Sequence, residues 1–150
     1  MRIELTVNGR ALGLEVEPQE MLVDALRRAG FTSVKRGCDS AVCGVCTVLL
    51  DGRPVTSCAV PAARAEGHAI TTVEGVSAEA RRLGEFLVAE GADQCGFCSP
   101  GLVLTVLAMT AELDHPDEQA VRHYLAGNLC RCSGYAGQLR GIRKYLEARR

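Results

Sequence analysis

Tryptophan is missing from the 150 residues, and phenylalanine and tyrosine supply only three each. Any core must therefore be aliphatic. With 47% hydrophobic residues the material for one is present, which excludes a disordered chain. An excess of charge of one sign is also missing: 17 basic residues against 18 acidic ones leave a net charge of −1. A nucleic-acid partner calls for a basic footprint, so none is expected. No apolar run approaches the roughly 20 residues that span a bilayer. The start, Met1-Arg2-Ile3-Glu4-Leu5-Thr6-Val7, reads as no signal segment. The expectation is a cytoplasmic chain without a membrane association. There is no Ser–His–Asp arrangement, no Gly-rich phosphate loop and no metal site with an obvious open position. No catalytic residue is assigned on this chain.

Cysteine is what the sequence has in quantity: Cys38, Cys43, Cys46, Cys58, Cys95, Cys98, Cys130 and Cys132. Eight thiols in this length fall below the density of a disulfide scaffold, and export is not indicated, so disulfides are not expected. The question becomes which metal the thiolates hold.

The hydrophobic pattern changes midway. Ile3, Leu5 and Val7 alternate with polar residues up to Asn8-Gly9, a hairpin signal, and Leu12, Leu14 and Val16 alternate after it. Pro18 stands where a helix can begin, and Leu22, Ala25, Leu26 and Ala29 follow at helical spacing before Gly30. Thr47–Leu50, Val55–Ser57 and Ile70–Val73 read as strands, the first two joined by Asp51-Gly52. From Ser77, placed to cap a helix, the period becomes 3.6. Leu83, Phe86 and Leu87 mark one helix, and a stripe through Leu102, Val106 and Met109 a second, begun by Pro100. Val121, Tyr124 and Leu125 mark a third, opened by Pro116. Leu139, Ile142 and Leu146 mark a fourth, from about Gly137. The fold class is α+β: residues 1–75 as a small sheet crossed by one helix, residues 76–150 as four helices. A half-chain of this size gains only roughly 3–5 kcal/mol from its core, so a metal centre crosslinking four positions would stabilise each half.

The first motif, Cys38 to Cys46 with Cys58, has the spacing C-x4-C-x2-C-x11-C. Its first part is the plant-ferredoxin spacing for a [2Fe–2S] cluster. A zinc site is the rival, but zinc sites usually present two C-x2-C pairs, and this loop has one longer arm. Gly37 and Gly44 beside the thiols let backbone N–H groups approach sulfur. The second motif pairs Gln94-Cys95-Gly96-Phe97-Cys98-Ser99-Pro100-Gly101 with Asn128-Leu129-Cys130-Arg131-Cys132-Ser133-Gly134. Residues two apart on a continuous helix point to nearly opposite sides, so Cys130 and Cys132 belong in a loop or at a helix end. Chemistry alone leaves zinc and iron–sulfur both open here.

Both motifs, in this order, resemble the small iron–sulfur subunit of the xanthine dehydrogenase and aldehyde oxidoreductase family. The matching stretches are Lys35-Arg-Gly-Cys38, Cys43 to Gly52, Gln94 to Gly101 and Gly127 to Tyr135. The resemblance implies a plant-ferredoxin-like β-grasp domain with Cys38, Cys43, Cys46 and Cys58 as ligands of one [2Fe–2S] cluster. It implies a helical domain with Cys95, Cys98, Cys130 and Cys132 holding another. Positions matching Gln94 and Cys132 would contact the pterin of a molybdenum cofactor on a partner's large subunit. Electrons would pass through both clusters to FAD, on a medium subunit, or to another acceptor. This chain reaches residue 150 without an FAD or molybdopterin domain, so those functions are expected on partner chains. Two departures stand out: Ala41 where the family often has Gly or Ser, and Ala136-Gly-Gln-Leu-Arg140 where it commonly has a short polar or Pro-containing pair and then Ile.

Other candidates rank lower. His68, His115 and His123 are not needed beside two complete cysteine sets. Arg131 either donates toward sulfur or pterin or faces solvent. The basic run Arg140, Arg143, Lys144, Arg149 and Arg150 reads first as a solvated helix face. A free-standing diffusible ferredoxin is the alternative function, disfavoured by the near-neutral charge, and a zinc-stabilised interaction module is a third.

Overall fold

A computed structural model describes residues 1–149. Strands β1 (Arg2–Val7) and β2 (Arg10–Glu15) form an antiparallel hairpin in register Val7↔Arg10 to Arg2↔Glu15. Asn8 and Gly9 turn it with φ of 51° and 78°, the paired positive values that match the twist of a two-residue hairpin. Ile3, Leu5 and Val7 point inward and are buried. Helix α1 (Leu22–Arg28) covers them with Leu22, Val23, Ala25 and Leu26. Strands β3 (Thr47–Leu50) and β4 (Arg53–Thr56) pair antiparallel, and β5 (Ala69–Thr71) slots between β1 and β3. The sheet order is β2-β1-β5-β3-β4, with β1 and β5 parallel.

Three boundaries differ from expectation, each for a local reason. Helix α1 starts at Leu22 rather than near Pro18, because Met21 is held extended in a bridge to Pro61 and the Leu22 N–H donates to Val60 O at 2.8 Å. The fourth strand ends at Thr56, and Ser57 opens a 3-10 turn that carries Cys58. The last strand spans 69–71, since Val73–Val76 forms another 3-10 turn.

The rest of the chain folds as α2 (Ser77–Ala89), α3 (Ser99–Glu112), α4 (Glu118–Tyr124) and α5 (Ala136–Glu147). Ser77 does not cap α2: the preceding 3-10 turn runs into the helix and Ser77 is already helical. Nor does Pro116 open α4. Asp117 does, its carboxylate accepting from Ala120 N at 2.8 Å. Helices α2 and α5 pack closely because Gly141 has no side chain; a Cβ there would meet Phe86 O at 2.9 Å. Tyr145 is fully buried in this seam, edge-on to Phe86 at 5.9 Å between centroids. Helix α3 is apolar nearly all round, because it packs on α2 and α4 and also on β3 and β4. It is the element that joins the halves. Among the described residues no helix is long and apolar enough to cross a membrane.

Candidate metal centres

The loop from Cys38 to Cys46 leaves the end of the α1 crossover and runs into β3. Ala41 and Gly44 bend it with φ of 58° and 70°. Cys58 reaches the same place from the turn after β4, and Cys46 Sγ lies 3.3 Å from Cys58 Sγ. The Cys38 and Cys43 thiols hydrogen-bond to each other. In the second half, Cys95 and Cys98 precede α3, and Cys130 and Cys132 lie in the irregular segment between α4 and α5, as the two-residue spacing required. Cys132 Sγ stands 3.6 Å from Cys95 Sγ, and Cys98 hydrogen-bonds to Cys130. All eight thiols are unpaired, and these separations far exceed the 2.05 Å of a disulfide.

The sulfurs thus meet in pairs: 38 with 43, 46 with 58, 95 with 132, 98 with 130. Among the described residues no group of three or more His, Cys, Asp or Glu side chains gathers round a single ion position. Two thiolates on one tetrahedral ion, each at about 2.3 Å, lie roughly 3.8 Å apart. A binuclear centre with two thiolates per iron asks for two such pairs, and each quartet supplies them. The donor set fits the group.

Backbone and hydroxyl donors surround several of these sulfurs. Cys38 is held down to about 6, first by the Cys43 thiol and then by the N–H groups of Cys43, Ser40 and Val42. Burial raises Cys43, over an opposing N–H from Val45. Burial, then the bond to Cys46, pushes Cys58 up to about 11. Burial also lifts Cys98 to about 11. For Cys130 burial acts upward too, but donors from Ser133 and the Cys132 N–H outweigh it and the thiol is lowered. Ser133 gives both its N–H, at 3.3 Å, and its hydroxyl, at 3.2 Å. Donors of this kind stabilise thiolate, the form that binds metal.

The two sites are tied together. Leu129 N donates to Cys43 O at 2.9 Å, and Leu129 directly precedes Cys130. Asn128 Nδ2 reaches Gly44 O at 3.5 Å. A Cβ on Gly44 would strike Gly127 O at 2.1 Å, and one on Gly101 would strike Gly44 O at 2.5 Å. Glycine at position 44 lets the two loops touch, and glycine at 101 lets the start of α3 press on the first loop.

Gln94 and Cys132 are brought together: Gln94 Nε2 donates to Cys132 O at 3.2 Å, and both residues are exposed. Arg131 also faces solvent. The histidines are elsewhere; His68 pairs with Asp51 at 2.6 Å and His115 with Asp114 at 3.4 Å. The basic run is partly engaged, since Arg140 and Lys144 both bind Glu90 and Arg149 stacks on Tyr145; Arg150 lies outside the described residues. Sequence reasoning missed Ser133, Tyr135 and Gln138. Tyr135, with φ of 69°, turns its hydroxyl to accept from Cys130 N at 3.0 Å. Gln138 Nε2 lies 3.9 Å from Cys98 Sγ. Ser133, three residues past a cysteine, had a local signal in the sequence; Gln138, forty residues from Cys98, had none.

Residues 5–73 match the family described as 2Fe-2S iron-sulfur cluster binding domain, and residues 72–143 match [2Fe-2S] binding domain. The chain is 45% identical over 141 residues to the xanthine dehydrogenase iron-sulfur-binding subunit of Escherichia coli O157:H7, covering 89% of this chain and 86% of that one. It is 41% identical over 136 residues to the nicotinate dehydrogenase small FeS subunit of Eubacterium barkeri, covering 89% and 87%. The fold superposes on a chain of quinoline 2-oxidoreductase from Pseudomonas putida 86 with a TM-score of 0.90 and 42% identity, covering 99% and 94%.

Proposed function

The chain belongs to the small iron–sulfur subunits of the xanthine dehydrogenase and aldehyde oxidoreductase family, and from that membership we propose that it is the electron relay of a molybdenum hydroxylase. As a subunit of such an oxidoreductase it would carry two [2Fe–2S] clusters, which supply one-electron transfer without bond making. Cys38 and Cys43 would hold one iron and Cys46 and Cys58 the other in residues 1–75, the β-grasp domain. Cys95 with Cys132 and Cys98 with Cys130 would do the same in residues 76–150, the four-helix domain. No substrate chemistry is assigned to this chain.

The observation that carries the reading is the short bridge between the quartets. Cys43 is joined through its carbonyl to the Leu129 N–H, and Leu129 is bonded to Cys130. Two ligand residues are thus linked by one hydrogen bond and a few covalent bonds. Such a path suits electron exchange between the two sites.

Direction follows from exposure. Cys95 and Cys132 are exposed, whereas Cys46 is buried. The exposed pair, with Gln94 fixed to the Cys132 carbonyl, suits contact with the pterin on a partner's large subunit. The Cys132 carbonyl would hold Gln94 in place, and a docked partner would exclude water there. From the first quartet electrons would leave for FAD on a medium subunit or another acceptor. The relatives are named for xanthine, nicotinate and quinoline, so the substrate is set by the molybdenum subunit. We place the complex in the cytoplasm, where cysteines are kept reduced.

Native co-purification tests this. The expected result is a heteromer with molybdenum, pterin and FAD on the partner chains. A stable monomer that exchanges electrons freely with soluble proteins and binds no such partner would favour the diffusible ferredoxin instead.

A further inference from the structure

Gln138 is a polar residue in an apolar place. It lies in the first turns of α5, within the Ala136–Arg140 stretch that departs from the family's pattern, and is 5% exposed. Pro100, Leu102, Val103 and Leu125 are among the residues lining the two cavities beside it, of about 350 and 370 Å³. An amide buried in such surroundings is costly unless it finds a hydrogen-bond partner. Among the described residues the partner of its side chain is Cys98 Sγ, 3.9 Å from Nε2. The amide orientation is fixed by charge, because Oε1 turned toward a thiolate would set two acceptors against each other while NH2 donates.

We propose that Gln138 is a positioning residue for the second cluster, donating to the Cys98 sulfur and raising that cluster's reduction potential. This rests on the two-cluster reading. Reduction adds one negative charge to the cluster and its thiolates. A donor aimed at a ligand sulfur stabilises the reduced form more than the oxidised form, and hydrogen bonds to sulfur and burial are the protein's means of setting potentials. Ser133 already gives two donors to Cys130, the sulfur paired with Cys98. Gln138 extends the same set to the other ligand of that pair. The helix supplies the rigidity: Gly137 and Gly141 flank it and let α5 press on α2, since a Cβ at either would meet the carbonyl of Glu90 or of Phe86 at 2.9 Å.

The test uses the full chain purified with its clusters, following each EPR signal in a redox titration. Gln138→Leu keeps the bulk and removes the donor. Gln138→Met does so with an unbranched side chain, should Leu disturb the helix. Either should disfavour reduction of one cluster by about tenfold, which is 59 mV for a one-electron couple. The signal that moves should be the one that Cys98→Ser perturbs. Gln138→Glu, which presents a carboxylate, should lower the same potential further. An exchangeable proton coupled to that cluster should be lost from the Leu and Met variants. Unmoved potentials in both, or equal shifts of both signals, would overturn Gln138's role alone. A wild-type chain without two distinct signals would overturn the two-cluster reading and this inference with it.

Discussion

The first quartet of sulfurs is more enclosed than the second. Cys46 is 2% exposed, and Cys38, Cys43 and Cys58 are partly covered, whereas Cys95 and Cys132 face solvent. The enclosed site is braced by a five-stranded sheet and its loop N–H groups. The open one hangs between helix ends and relies on side chains: Ser133 and Gln138 donate to sulfur, and the Tyr135 hydroxyl accepts from Cys130 N. On the proposed reading, a partner would cover the exposed pair, while the first site, more covered by its own chain, needs less cover from outside.

The largest effect expected from breaking the comparison is loss of one site alone. Cys98→Ser should abolish or clearly alter one of two EPR signals and leave the other intact. A change in neither, or in both equally, would mean the quartets are not independent centres.

Next comes the contact between the sites. Gly44→Ala places a methyl on a residue at φ +70° and 2.1 Å from Gly127 O. Left-handed strain and overpacking together should cost about 3 kcal/mol, read as a lower melting temperature of the cluster-loaded chain. It should also slow electron exchange between the clusters, measured by rapid-freeze EPR. Unchanged melting would mean the loops do not meet as described.

The helical half has an electrostatic clamp of its own. Glu90 at the end of α2 is bound by Lys144 and by Arg140, at 2.8 Å, from α5. These bonds hold its carboxyl below the ordinary value of 4.5, Lys144 contributing most. A carboxylate depressed on folding stabilises fully above its unfolded pKa, and that stabilisation is lost as pH falls through the folded value. Glu90→Gln should therefore lower the melting temperature at neutral pH, with the gap to wild type closing below about pH 4.5. A gap that stays constant down that range would show the clamp contributes nothing.

How far these features were legible in the sequence varies with their range. The eight thiols, their grouping by halves and the change from strands to helices were all readable, because cysteine spacing and hydrophobic period are local signals. The contact of Leu129 with Cys43 was not, since it joins loops 86 residues apart in sequence (Cys43 and Leu129) through backbone atoms that carry no residue signature. Pro18 and Ser77 misled as helix starts because a bridge to Pro61 and a 3-10 turn overrode local preference. Ala41 stands out in the sequence, but only its φ of 58° explains why glycine suits the position.

That strain gives the smallest expected effect. Ala41→Gly should relieve the left-handed conformation and stabilise the first site by about 1 kcal/mol, seen as slower cluster loss on chelator challenge, with no change at the second site. Faster loss would mean the Ala41 side chain contributes packing that outweighs the strain.

Metal and sulfide analysis of the intact, cluster-loaded chain tests the central claim most directly. Two binuclear centres require about four iron atoms and four acid-labile sulfides per polypeptide. A colourless chain holding zinc, or one with iron and sulfide for a single cluster, would contradict it.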